Sequence, residues 1–100
     1  MPSLRFYLKL IFDNTIQKVD ISYGSYTRTY TTSGEDLGIS YEPDNNMYLD
    51  VTLQDGYVVD TTTLGTVDGN RITVPADSIS INAILNGTIT SKQQGGARYE

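Results

Sequence analysis

Met-Tyr-Leu-Asp-Val-Thr-Leu, residues Met47 to Leu53, decides the fold. Met47, Leu49, Val51 and Leu53 alternate with Tyr48, Asp50 and Thr52. Successive side chains of an extended chain point to opposite faces, so a period of two marks a strand half on a core and half in water. Two further strands follow behind glycine turns: Tyr57 to Leu64, then Arg71 to Leu85 interrupted at Pro75-Ala76-Asp77. In the last of these, Ile72 and Val74, then Ile79, Ile81, Ala83 and Leu85, share one face. Asp55-Gly56 and Asp68-Gly69-Asn70 supply residues that accept positive φ, as tight hairpin turns require. Asn86-Gly87 reads as a third such turn, leading into Thr88-Ile89-Thr90. Gly56, Gly69, Pro75 and Gly87 are the expected structural turn positions.

Upstream, Leu4, Phe6, Leu8, Leu10 and Phe12 alternate with Arg5, Tyr7, Lys9 and Ile11, which predicts another strand. Asp13-Asn14-Thr15 is turn material, and Ile16 to Tyr23 follows with Val19, Ile21 and Tyr23 inward, as a hairpin partner. Gly24-Ser25 breaks that strand. Tyr26 to Thr32 sets Tyr26, Arg28 and Tyr30 on one face and threonines on the other. Neither face is aliphatic, which predicts an edge strand, with the arginine blunting the edge. Leu37 to Glu42 holds a short strand ended by Pro43-Asp44-Asn45-Asn46. No stretch carries an apolar i, i+3, i+4, i+7 pattern. The expected fold is therefore all-β, a small antiparallel β-sandwich or partly open barrel of about 7–8 short strands, without a substantial helix. Residues 1–90 make the single domain, and 91–100, which include Tyr99, read as a flexible or partner-ordered tail.

The length of 100 residues fits one domain able to bury a core without staples. Cysteine and histidine are both absent, so there is no disulfide, no thiolate metal site and no imidazole base. No catalytic residue, metal site or cofactor site is predicted. The net charge of -5, with seven Lys and Arg, argues against a phosphate-backbone binder. The longest apolar run near the start is Leu10-Ile11-Phe12, too short for a signal peptide or a membrane span. Asn86-Gly87-Thr88 matches a glycosylation sequon, which without a secretory signal reads as a turn.

Asp50, Asp55, Asp60, Asp68 and Asp77 fall singly in hairpins, as turn and surface residues do. Thr61-Thr62-Thr63 and Ser78 are hydroxyls with no base near them in sequence. The eight tyrosines offer a different chemistry, because tyrosine gives rigid contact area with a polar tip. The same residues also simply suit a two-sided sheet. The expected interaction surface is Tyr26, Arg28 and Tyr30, joined by Tyr48 and Tyr99, since Tyr and Arg dominate interface hot spots.

Asp55-Gly56-Tyr57-Val58-Val59-Asp60 and the run Ile72 to Ala83, with its Pro-Ala-Asp turn, carry a resemblance. From Tyr41 to Leu85 the layout resembles the InlB B-repeat-like and divergent bacterial-repeat modules of bacterial surface and Gram-positive phage structural proteins, immunoglobulin-like in the loose sense. The resemblance implies a non-enzymatic virion accessory module, a head decoration, connector or tail component. Its partners would be other protein subunits or itself, with no nucleic acid and no membrane, and assembly in the host cytoplasm. Two other readings stand beside it. One is a small acidic inhibitor of a host defence nuclease; the other is a carbohydrate- or cell-surface-binding module.

Overall fold

The computed structural model describes residues 4–94. Nine strands appear in chain order: β1 (Arg5–Phe12), β2 (Ile16–Tyr23), β3 (Tyr26–Tyr30), β4 (Asp36–Ser40), β5 (Met47–Leu53), β6 (Tyr57–Thr62), β7 (Thr66–Asp68), β8 (Arg71–Val74) and β9 (Ile84–Gln93). One short 3₁₀ turn, Ala76–Ser78, lies between β8 and β9. The strands form two sheets, ordered β4-β1-β9-β6 and β3-β2-β5-β8-β7, packed as a sandwich. The all-β class is as the sequence predicts. No helix among the described residues is long and apolar enough to cross a membrane.

Alternation explains the core. Phe6, Leu8 and Leu10 of β1 face Val19, Ile21 and Tyr23 of β2 and Met47, Leu49 and Val51 of β5, all buried. The inward positions come from both sheets at every second residue, as a two-layer fold requires. No polar or charged residue among those described is buried, apart from the tyrosine hydroxyls, and those are bonded. Each fully buried Leu, Ile or Phe contributes about 1.5–3 kcal/mol relative to exposure.

Connectivity departs from the sequence reading in several places. β1 and β2 are not a hairpin: β1 pairs with β4 and β9, whereas β2 pairs with β3 and β5 in the other sheet. The Asp55-Gly56 turn also joins strands of different sheets, although Gly56 has the expected positive φ of 88°. Two amphipathic strands joined by a short turn can stack face to face as well as pair edge to edge, and alternation alone does not choose. The run from Arg71 to Leu85 is not one interrupted strand. β8 ends at Val74, the chain crosses between sheets through Pro75 and the 3₁₀ turn, and β9 starts only at Ile84. Ile79 stays buried in this crossing, whereas Ile81 is exposed.

Asn86-Gly87 is not a turn. It lies inside β9, with Gly87 opposite Leu10 of β1 in the parallel β1–β9 pair. Gly87 is needed there for space, because the Leu64 side chain occupies the position its Cβ would take. β9 continues to Gln93, so residues 91–93 are strand rather than tail. Residues 95–100, with Tyr99, lie outside the described residues. An unexpected strand, β7, forms a hairpin with β8 around Gly69, whose φ of 64° suits the first position of a two-residue hairpin turn. The β1–β9 pair also makes the sandwich mixed rather than wholly antiparallel.

Candidate interaction surface

Most of the hydroxyls singled out in the sequence, and some of the carboxylates, are bonded within the fold. The Thr61 and Thr90 hydroxyls bond each other at 2.6 Å, and Thr63 Oγ1 accepts from the Thr88 amide. The Thr61–Thr90 bond lies at the register shift between β6 and β9, where the backbone ladder is broken, and the Thr63–Thr88 bond follows just beyond it. The Ser78 hydroxyl donates to the Pro75 carbonyl. Asp13 Oδ1 accepts from both the amide and the hydroxyl of Thr15, which holds its carboxyl below the usual range. Among the described residues there is no cavity and no group of three acidic residues placed to hold a metal.

The expected Tyr26-Arg28-Tyr30 surface divides. β3 is an edge strand, as predicted, pairing only with β2. Its Tyr26, Arg28 and Tyr30 stand opposite Tyr23, Ile21 and Val19, so the trio lies on the inward side of the sheet. Tyr30 is fully buried and donates its hydroxyl to the Leu8 carbonyl of the other sheet at 2.6 Å. It is a core residue, not a surface one. Tyr26 is half-buried and Arg28 exposed, because they sit toward the margin. An inward-pointing charge on an edge strand discourages edge-to-edge pairing.

Tyr48 lies on the outer face of the second sheet, half-buried. The Arg71 guanidinium stacks 5.1 Å from its ring centroid and also bonds Asp50 at 2.9 and 3.2 Å. The ring face is thus already taken by a cation from the same chain. Tyr23 is likewise internal: its hydroxyl donates to the Glu42 carbonyl and accepts from the Glu42 amide, while its ring meets Phe6 edge-on at 5.4 Å.

Burial pushes the phenols of Tyr30 and Tyr23 above their ordinary value. The unfolded chain ionises them near pH 10, whereas the folded chain keeps them protonated to higher pH. Their contribution to stability is therefore complete below about pH 10 and is lost as pH rises through the folded values. Urea midpoints between about pH 8 and pH 11 should fall with pH. Tyr30→Phe should flatten that fall; an unchanged slope would refute the assignment.

The surface that remains open is one the sequence reading did not choose. Among the described residues, the exposed large hydrophobics are Leu4 (57%), Tyr7 (44%), Ile11 (43%), Ile81 (41%) and Ile84 (70%). All lie on β1 and β9 or in the residues leading into them, and none on the second sheet. Tyr7 stands directly opposite Ile84 in the parallel pair, and Ile11 lies further along the same outer face. Arg5 and Lys9 alternate with them. The signal was present in sequence, since Tyr7 and Ile11 break the polar face of the first strand, but Ile84 joins them only through the β1–β9 pairing.

Compared with known proteins, the chain matches no family model, no curated protein and no solved structure.

Proposed function

We propose that this domain is a non-enzymatic structural and interaction module of a phage virion, a head decoration, connector or tail component. It acts through protein–protein contacts made by the outer face of β1 and β9. One observation carries the contact surface: the exposed large hydrophobics gather on one sheet, while the other sheet shows threonines and paired charges. Grouped apolar side chains on an otherwise polar surface mark interaction sites. The virion assignment rests on the resemblance of Tyr41 to Leu85 to phage and surface repeat modules. The inhibitor reading has less support: Asp20, Asp50 and Asp60 each pair with a cation of the chain, and the other acids are scattered along the sequence instead of gathered in a dense row. Arg71 over Tyr48 removes a ring that a sugar would stack on.

A photo-crosslinker placed at position 84, with position 29 on the second sheet as control, tests this in the native host during particle assembly. Crosslinks from 84 to a virion protein or to a second copy are expected. Crosslinks from 29 alone would overturn the surface, and capture of a host nuclease at 84 would replace the virion reading.

A further inference from the structure

The charge on the β1 face narrows the kind of partner it fits, granted that this face is the contact surface. The described residues form three ion pairs, Lys18–Asp20, Arg71–Asp50 and Lys92–Asp60. Arg5 and Lys9 are in none of them. Both flank Tyr7 on the same outward side of β1, in a chain whose net charge is -5. Asp36 stands opposite Lys9 in the β1–β4 register, yet makes no ion pair with it. Arg28, on the edge of the other sheet, is likewise in none of the three pairs, but of these three cations only Arg5 and Lys9 flank exposed large apolar side chains.

The neighbouring strand leaves room for these side chains. Gly38 of β4 lies opposite Tyr7, in the middle of a strand where glycine weakens the fold. A Cβ there would come within 3.2 Å of both Arg5 Nη1 and Tyr7 Cε1. With no Cβ there, both side chains approach the Gly38 backbone more closely than they could approach that of another residue without shifting by a few tenths of an ångström. The result is a strip of Arg5, Tyr7, Lys9 and Ile11, widened by Ile84 from the neighbouring strand.

We infer that this strip binds an acidic segment of a different protein, one in which Asp or Glu alternates with large apolar residues. The apolar groups cover Tyr7, Ile11 and Ile84, and the carboxylates meet Arg5 and Lys9. A second copy fits poorly, because pairing this face with itself brings Arg5 and Lys9 against their own counterparts, and like charges in an interface are penalised. The overall negative charge does not prevent the encounter, since at physiological salt fields fade over about 8 Å and the local cations dominate.

Selection of a random-peptide display library on the immobilised full chain tests the inference, with Ile84→Asp, Arg5→Glu and Lys9→Glu alongside. All three sites are on the outer face of β1 or β9, so circular dichroism should show the fold unchanged. Enriched peptides should combine acidic with aliphatic or aromatic residues. Their binding should weaken about tenfold with Ile84→Asp and fall with either charge reversal and with added salt. Peptides that lose binding to Ile84→Asp but are neutral or basic would overturn the acidic partner and leave the surface standing. Peptides held equally by Ile84→Asp would overturn the surface as well, and so would the absence of any enrichment.

Discussion

Tyr30→Ala is expected to lower the unfolding free energy by about 3–5 kcal/mol, the range for removing a large buried aromatic. The ring is fully buried between the sheets, where β3 meets β1, and no solvent reaches the space it would vacate. The hydroxyl adds its own part. It bonds the Leu8 carbonyl at 2.6 Å, so Tyr30→Phe, which keeps the ring, should cost only about 1–2 kcal/mol. Urea titrations of the two variants separate the effects, provided the slope with denaturant stays constant. Small domains have about 5–15 kcal/mol in total, so the alanine variant should be close to unfolding at modest temperature. A loss below about 1 kcal/mol would show that Tyr30 is not the core residue described. One consequence is practical: Tyr30→Ala reports on folding, and any change in association that it causes does not locate an interface. Ile84, which is 70% exposed, is the residue to change for that purpose.

Gly65→Ala should be the most damaging of the glycine substitutions outside the turns. Gly65 lies between β6 and β7, where the chain leaves one sheet for the other. A Cβ at this position would fall on the Thr73 carbonyl oxygen of β8. That obstacle is backbone, held in the ladders that β8 makes with β5 and β7, so relief requires shifting a strand. The expected loss is about 1–3 kcal/mol or somewhat more, as for other forced insertions into packed structure. Gly87→Ala is the comparison. Its obstacle is the side chain of Leu64, which can turn to another rotamer, so the cost should be smaller. Thermal and urea unfolding of both variants would check the order. If Gly87→Ala proved the more harmful, the β8 backbone near Thr73 would have to be freer to move than its pairing implies.

Two misread positions show where sequence patterns run out. Tyr26, Arg28 and Tyr30 share a face by parity, and the sequence reading put that face in solvent because none of the three is aliphatic. Tyrosine can nonetheless be interior when its hydroxyl finds a partner, and Tyr30 finds the Leu8 carbonyl in the opposite sheet. That carbonyl lies 22 residues away, beyond any local pattern. Asn-Gly at 86–87 has the composition of a tight turn, yet the glycine serves a central strand by leaving room for Leu64. The same residue type meets two physical needs, positive φ in a turn and vacant volume in a packed sheet, and composition does not distinguish them.

What the amino-acid sequence determined by itself was the all-β class and the buried side of most strands. Side chains of an extended chain alternate, so Phe6, Leu8 and Leu10, or Met47, Leu49 and Val51, can reach one core only as strands. What the tertiary structure alone decided was which strands pair. The β1–β9 partnership joins residues nearly eighty positions apart, and it sets Ile84 beside Tyr7. Pairing depends on contacts between distant segments and on whether adjacent strands stack or pair, neither of which leaves a local trace. Alternation alone sets Arg5, Tyr7, Lys9 and Ile11 on one face of β1, but that face gains Ile84, and its width, only once the pairing is made.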